Sequence, residues 1–126
     1  MPVKTLASHR IPLYKYAGMQ RKVQYQMVMT TAGSEEEAHR IAALVVDTKM
    51  AACAQIEPIH SVYRWKGKVE SAPEWRVTIK TISAKVSPLM ELIRKHHSYE
   101  VPEIIAVPIL GGLPAYLQWI DTETAP

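Results

Sequence analysis

Residues 51–83 read AACAQIEPIHSVYRWKGKVESAPEWRVTIKTIS, and this stretch has the pattern of one long β-hairpin. Residues 54–65 form the predicted outgoing arm, the turn falls at 66–68, and the predicted return runs over 74–82. On the return, Trp75, Val77 and Ile79 alternate with polar residues, the period-2 pattern of a half-buried strand. Pro58 interrupts the outgoing arm, which predicts a bulge or a sheet-edge position there.

The predicted hairpin is as long as the whole domain is wide. An arm of about a dozen residues at ~3.4 Å each spans roughly 40 Å, whereas a chain of this size has a width of about 35 Å. The flanking helices are too short to cover it, and its far half carries the rings of Tyr63 and Trp65. Uncovered strands with free backbone groups pair with other chains, so we predict an oligomer.

A strand and a helix are predicted before the hairpin. Residues 23–31 alternate as a first strand, and Ser34 is placed to cap a helix in which Glu37 reaches back three residues. Ala38, Ile41, Ala42 and Val45 form the apolar stripe of this helix, and Lys49 is predicted in its last turn.

A second helix, a last strand and a short helix are predicted after the hairpin. Ser87 and Pro88 suit an N-cap and a first helical position, residues 104–109 form an apolar strand with Pro108 at an edge, and Pro114 opens a short C-terminal helix. The order is therefore β-α-β-β-α-β plus a helix. It predicts an α+β, ferredoxin-like antiparallel sheet with two helices on one face.

Composition indicates one globular domain in a reducing compartment. The 126 residues are 48% hydrophobic, and no apolar run reaches the length of a membrane span. The first residues lack the pattern of a secretory signal, and the single cysteine, Cys53, excludes an internal disulfide. We therefore predict a cytoplasmic protein without membrane insertion.

The positive charge is concentrated at the N-terminus. Residues 1–22 contain five basic and no acidic side chains, which leaves ten basic and twelve acidic residues for 23–126. We predict that residues 1–22 form a basic extension and that residues 23–126 form the folded domain. The extension is either disordered or an arm that packs Ile11, Leu13, Tyr14 and Tyr16 on a neighbouring surface. Since the folded part is close to neutral, a nucleic-acid partner is not expected.

Several blocks of the chain together resemble the CutA family of divalent-cation tolerance proteins, from about Tyr25 to Ile120. The blocks are Lys49-Met50-Ala51-Ala52-Cys53-Ala54, Ser61-Val62-Tyr63-Arg64-Trp65-Lys66-Gly67-Lys68, Glu74 with Ile79-Lys80-Thr81, His96-His97-Ser98-Tyr99-Glu100-Val101-Pro102-Glu103, and Gly112-Leu113-Pro114-Ala115-Tyr116-Leu117-Gln118-Trp119-Ile120. The resemblance implies a ferredoxin-like subunit in a homotrimer like that of the PII signalling proteins. It also implies a link to tolerance of divalent cations, copper among them.

The resemblance implies that His96 and His97 are metal ligands. Adjacent residues on a helix point about 100° apart, so both can bind one ion only if the helix ends between them. His96 continues an apolar stripe, which favours a packed core histidine, whereas His97 is the better ligand candidate. Some family members have a cysteine where this chain has Thr30, and loss of a thiolate reduces selectivity for copper(I). Cys53, in a run of alanines, is predicted to be a small buried hydrophobe.

A second candidate site is an inter-subunit cleft. Its residues are Tyr63, Trp65, Lys80, Tyr99 and Glu103. Basic, acidic and aromatic groups around a cleft can bind a small anion or metabolite. In the alternative interpretation, these side chains satisfy one another across the interface, with Lys80 paired to a carboxylate.

The function predicted is that of a non-enzymatic, homotrimeric binding protein involved in divalent-cation tolerance. No cofactor is obligatory, and Cu²⁺ or another divalent metal is the expected ligand. The alternative is a PII-like signalling scaffold that binds a small anion or metabolite in the cleft. An acylphosphatase-like hydrolase would need a Gly-rich anion-binding loop with an arginine near the first strand, and Ala32-Gly33-Ser34 supplies no arginine. An RNA-binding sheet would need aromatic side chains on its central strands, and the chain contains no Phe.

Overall fold

A computed structural model describes residues 23–126, and the predictions for residues 1–22 lie outside that range. Within residues 23–126, four strands and three α-helices follow one another, with a short 3₁₀-helix before the second α-helix. They are β1 (Tyr25–Ala32), α1 (Glu35–Asp47), β2 (Cys53–Trp65), β3 (Lys68–Ile82), the 3₁₀-helix (Ser83–Lys85), α2 (Val86–His96), β4 (Ile104–Ile109) and α3 (Pro114–Thr124). The predicted α+β class and element order are confirmed. No helix in this range is long and apolar enough to cross a membrane.

The sheet has the order β2-β3-β1-β4, and every neighbouring pair is antiparallel. β2 and β4 are therefore the two edge strands. Pro58 lies in β2 and Pro108 in β4, as expected for a residue without a backbone N–H. The edge interpretation of both prolines is confirmed, and the pairing of β2 with β3 runs without a bulge from Cys53 to Trp65.

The hairpin is longer than its sequence pattern predicts. Its return arm begins at Lys68, six residues before the predicted start at Glu74, because residues 68–73 pair with β2 although they lack alternating polarity. Lys66 and Gly67 form the turn with φ values of 50° and 81°, the positive φ angles of a two-residue hairpin turn. At ~3.4 Å per residue the 13-residue β2 is about 44 Å long. The 13-residue α1 covers only about 20 Å.

The core lies between α1, α2 and one face of the sheet, which we call the helix face. The buried apolar residues that form it are Val28, Ala32, Ala38, Ile41, Val45, Ala51, Val77, Ile79, Leu89 and Ile93. Each fully buried isoleucine or leucine stabilises the fold by about 1.5–3 kcal/mol relative to an exposed one. The core ends well before the hairpin tip, where Val62 and Val69 remain 69% and 65% exposed.

The opposite sheet face, which we call the second face, is covered only at one end by α3. The Tyr25 hydroxyl donates to Asp121 of α3, and this hydrogen bond raises the pKa of Tyr25. Lys80 places its Nζ 6.0 Å from the ring centre of Tyr116, while Ile120 is fully buried. The helices therefore lie on both faces, two on one and the C-terminal helix on the other.

Helix ends depart from the sequence prediction in two places. The cap at Ser34 is confirmed, since its Oγ accepts from the Glu37 N–H at 3.1 Å. However, α1 ends at Asp47, and Lys49 lies beyond it with φ 60°. α2 starts at Val86 rather than after Ser87, because the 3₁₀-helix leads straight into it. Pro88 therefore occupies the first turn, where the missing N–H needs no partner.

Candidate functional site

The helix α2 ends between the two candidate histidines. His96 is its last residue, and His97 has extended backbone angles, φ −88° and ψ 139°. The change of backbone direction sends the two side chains to different places. His96 is exposed, whereas the side chain of His97 is fully buried. The interpretation of His96 as a core histidine was therefore wrong, because the helix turns its last residue outward.

His97 uses both ring nitrogens within the chain. Its Nδ1 accepts from the Tyr99 N–H at 3.0 Å, so Nε2 carries the proton and donates to the Thr31 carbonyl at 2.7 Å. A metal ion at either nitrogen would have to displace one of these bonds. The buried ring thus fixes the segment after α2 to the end of β1.

His96 has the opposite character. Its Nδ1 lies 3.0 Å from the carbonyl oxygen of Leu92, one turn earlier. A hydrogen bond from Nδ1–H to this carbonyl leaves Nε2 as the acceptor. Metal-binding histidines are commonly oriented by such a backbone carbonyl.

Glu37 and Ser98 form a second fixed contact beside His97. Glu37 is only 5% exposed, and its carboxylate accepts from the Ser98 N–H and from the Ser98 hydroxyl, both at 2.8 Å. Burial raises the pKa of Glu37, but the two Ser98 hydrogen bonds, with a smaller contribution from the charge of Arg40, outweigh it and lower the pKa. The sequence predicted that this carboxylate reaches back to Ser34 in a capping box. That prediction was wrong, because the carboxylate accepts from Ser98 instead.

Tyr99 closes the segment by contacting β3. Its hydroxyl donates to Glu74 at 2.8 Å, and its ring lies 4.9 Å from that of His97. Burial and the Glu74 hydrogen bond raise the pKa of Tyr99 well above its usual value. Gly33 leaves room for the Tyr99 ring, because a Cβ at residue 33 would lie 2.8 Å from the Tyr99 hydroxyl oxygen.

These contacts form one wall of an open cleft of about 760 Å³ beside the hairpin. The residues that line it are Thr31, His60, Ser61, Val62, Tyr63, Trp65, Glu74, Ser98, Tyr99, Glu100, Val101 and Glu103. Four of the five predicted cleft residues, all except Lys80, are therefore brought together in a single chain. Tyr63 and Trp65 remain 45% and 41% exposed.

Lys80 lies elsewhere on the second face. Its Nζ donates to the amide oxygen of Gln55 at 2.5 Å and stands over Tyr116. The prediction that Lys80 lines the cleft is not met within one chain, because its strand position is six residues from Glu74 toward α3. Its partner is also an amide rather than the carboxylate of the alternative interpretation.

The cleft is acidic. Its lining includes the carboxylates of Glu74, Glu100 and Glu103, and no lysine or arginine among the described residues. Within residues 23–126, however, no group of three or more His, Cys, Asp or Glu side chains has the geometry to hold a metal ion.

Thr30, Cys53 and His39 do not line the cleft. Thr30 is fully buried, and its hydroxyl has no hydrogen-bond partner in the described part of the chain. Cys53 is half-buried rather than buried, because the second face beside it is open. His39 is exposed, and so is His60, which lines the cleft.

Glu37, Ser98 and Glu74 were missed as site residues by the sequence reasoning. Glu37 fits a capping box, a local pattern that accounts for its carboxylate without a distant partner. A polar residue on the alternating return strand is ordinarily solvent-facing, yet Glu74 is only 8% exposed. The spacing in sequence, 61 residues from Glu37 to Ser98, gives no local pattern from which the contact follows.

The fold and site define a class of small α+β proteins that have two helices on one sheet face, a hairpin extending past them, and an acidic cleft at its side. The CutA1 divalent ion tolerance protein family model matches residues 26–123. The chain belongs to this family, as its sequence resemblance indicated.

Relatives support the assignment over most of the described range. The divalent-cation tolerance protein CutA of Archaeoglobus fulgidus is 42% identical over 97 residues, covering 77% of this chain and 95% of the relative. The solved structure of the periplasmic divalent cation tolerance protein CutA from the same organism superposes with a TM-score of 0.79 at 40% identity, covering 80% of this chain and 99% of that one.

Other relatives are longer than the matched part. The chloroplastic protein CutA of Arabidopsis thaliana is 42% identical over 99 residues, 78% of this chain but 54% of the relative. The chain thus spans about half the length of this plant protein, and the same holds for protein CutA of Mus musculus, at 54%.

Proposed function

We propose that this protein is a non-enzymatic homotrimer that binds a divalent cation in the cleft beside the hairpin. The observation that carries the proposal is the composition of the cleft, with three carboxylates and no lysine or arginine in its described lining. Carboxylates in a concave site attract cations and repel anions. The family's name, divalent ion tolerance, agrees with such a ligand.

The open second face supports assembly. Half-buried or exposed apolar side chains extend across β1, β2 and β4 there, at Met27, Met29, Tyr63, Trp65, Ile105 and Val107. Both edge strands, β2 and β4, have backbone groups without a strand partner in the described chain. A neighbouring copy can cover this face and extend the sheet, since exposed edges pair readily.

A second subunit also supplies what the cleft lacks. Residues 23–126 of one chain bring no group of three or more His, Cys, Asp or Glu side chains together around an ion, and divalent cations need four to eight donors. We propose that side chains of an adjacent copy complete the coordination. Copper remains the notable candidate by resemblance, although Thr30 provides no thiolate and makes a soft copper(I) site less favourable.

Of the two histidines, His96 is the one with an available nitrogen. Its exposed ring and backbone-fixed Nδ1 suit a surface ligand. We propose that His96, which lies outside the cleft lining, can bind a divalent ion at the surface. His97 is less suited, because its unprotonated nitrogen, Nδ1, already accepts from the Tyr99 N–H.

The test is calorimetric titration of the full chain with Cu²⁺, Zn²⁺, ATP and a short RNA. Saturable binding of a divalent metal, weakened in Glu103→Gln, is the expected result. Leu110→Gln, a change at an exposed residue outside the cleft lining, is the matched control. Metal binding that is identical in wild type and Glu103→Gln would contradict the cleft as the site.

The alternative proposal is a signalling scaffold that binds a small anion or metabolite between subunits. Its basic groups would have to come from the neighbouring chain, and Lys80, outside the cleft of its own chain, is available for that role. Binding of ATP without any metal isotherm would favour this alternative.

A cytoplasmic location is likewise a proposal, and it rests on the single free cysteine. Relatives carry the names chloroplastic and periplasmic. Fractionation of the source cells with an antibody to the full chain tests it.

A further inference from the structure

We infer that Glu37 and His97 are positioning residues that lock the wall of the cleft, and that His97 does not serve as a metal ligand. The inference rests on the proposed binding function of the cleft. Neither residue lines the cleft. Glu37 instead binds Ser98, and His97 binds Tyr99, and these two residues do line the cleft.

We call the hydrogen bonds that connect Glu37, His97, Ser98, Tyr99 and Glu74 the lock, and it has three parts. Glu37, in the first turn of α1, holds both the backbone N–H and the hydroxyl of Ser98 at 2.8 Å. His97 joins the Tyr99 N–H at 3.0 Å to the Thr31 carbonyl at 2.7 Å. Tyr99, fixed in this way, donates to Glu74.

The lock ties elements that are distant in sequence. Residue 37 follows β1, residue 74 lies in β3, and residues 97–99 follow α2. The segment 97–99 has no regular secondary structure of its own, so its conformation depends on these hydrogen bonds. Hydrogen bonds to a buried charged group are stronger than neutral ones. The Glu37 carboxylate therefore contributes most to holding residues 97–99 in place.

The geometry also decides between the two roles of His97. A ligand histidine presents an unprotonated nitrogen to the ion. In His97 the only unprotonated nitrogen, Nδ1, already accepts from the Tyr99 N–H, and its ring is fully buried. The two hydrogen bonds of His97, from the Tyr99 N–H and to the Thr31 carbonyl, instead hold the segment after α2 against the end of β1.

Zn²⁺ titration of five variants of the full chain separates positioning from ligation. Glu37→Ala is expected to weaken Zn²⁺ binding about tenfold or more, as loss of an outer hydrogen-bond partner does, while Glu37→Gln retains an acceptor for Ser98 and recovers most of the affinity. His97→Gln keeps a donor for Thr31 and should likewise bind better than His97→Ala. Glu36→Ala, at an exposed carboxylate on the same helix, is the matched control and should bind as wild type.

Amide hydrogen exchange at Ser98 and Tyr99 measures the lock without any ligand. We expect faster exchange at both amides in Glu37→Ala, and unchanged exchange in Glu36→Ala. Should Glu37→Ala fail to fold, Ser98→Ala removes the hydroxyl bond alone and should give a smaller change in the same direction.

Three results overturn the inference: unchanged exchange in Glu37→Ala and Ser98→Ala, unchanged Zn²⁺ affinity in Glu37→Ala, or equal loss of affinity in His97→Ala and His97→Gln. The last result would make His97 a ligand. A wild-type protein that binds no divalent cation contradicts the proposed function instead, and amide exchange then decides alone whether the lock exists.

Discussion

At the scale of single residues, burial and hydrogen bonding reversed the roles that the sequence assigned to two neighbours. His96 continues an apolar stripe and His97 does not, yet His97 is the buried one. Helical periodicity predicts a direction only while the helix continues, and α2 stops at His96. Because the helix ends between His96 and His97, the helical pattern cannot predict which way the side chain of His97 points.

Two buried threonines in neighbouring strands differ in one hydrogen bond. Thr30 and Thr81 are both fully buried. The hydroxyl of Thr81 donates to the Met50 carbonyl, whereas that of Thr30 has no partner within residues 23–126. Since an unsatisfied buried hydroxyl costs about 1–3 kcal/mol, Thr30→Val should raise the free energy of unfolding by about 1 kcal/mol.

Urea denaturation at one fixed protein concentration measures this change, since an oligomer's stability depends on concentration. Thr81→Val is the control and should lower stability because it leaves the Met50 carbonyl without its donor. A Thr30→Val protein as destabilised as Thr81→Val would show that the Thr30 hydroxyl has a partner after all.

Gly33 is required for space rather than for backbone freedom. A Cβ at this position would lie 2.8 Å from the hydroxyl oxygen of Tyr99, which is held by Glu74. Gly33→Ala should therefore displace Tyr99 and destabilise the fold by about 1–3 kcal/mol. Gly111→Ala, where a Cβ meets open space, should leave the melting temperature nearly unchanged. Equal melting temperatures for both variants would contradict this role.

The carboxylate of Glu37 makes part of the stability depend on pH. Its pKa is lowered from the ordinary 4.5 in the folded chain, so the stabilisation is present above that value and is lost as pH falls through the lowered pKa. The stability advantage of wild type over Glu37→Gln should shrink as pH drops from neutral to below 4.5. Denaturant midpoints at several pH values test this. An advantage independent of pH would mean that the Glu37 charge is not used.

At the scale of elements, the sequence pattern was most reliable where one face of a strand is buried. Trp75, Val77 and Ile79 alternate and predict the paired half of β3 over the core. Residues 68–73 lack this alternation because neither side of the hairpin tip is covered in the single chain. Their pairing is fixed by the two-residue turn at Lys66 and Gly67 instead.

The hairpin's exposed aromatic rings give a prediction for assembly. Trp65 lies near the tip with 41% of its surface exposed, a large apolar area to leave in water. If a neighbouring copy covers it, Trp65→Asp buries an unpaired charge and should weaken or break the oligomer. Ala43→Asp, at an exposed position of α1, is the control for added charge.

Size-exclusion chromatography with a thermal melt compares the two variants. The expected result is a smaller species for Trp65→Asp alone. Unchanged elution and melting of Trp65→Asp would place Trp65 in solvent rather than at an interface.

At the scale of the whole molecule, the sequence predicts the class and the element order. Four of the five residues predicted for an inter-subunit cleft line one cleft within the single chain, because the family blocks and the hairpin arms lie on adjacent elements, and the inter-subunit role of that cleft stays a prediction. The Glu37–Ser98 contact and the distant position of Lys80 were not predictable, since they depend on how separate elements pack and not on local pattern. The acidic character of the cleft likewise appears only once Glu74, Glu100 and Glu103 are assembled.

The central claim is that a sheet with two free edges and an overlong hairpin is completed by copies of itself. Light scattering of the folded full chain at working concentration tests this most directly. The expected mass is three times that of the 14.2 kDa chain. A mass equal to one 14.2 kDa chain, with the fold intact by circular dichroism, would contradict the claim.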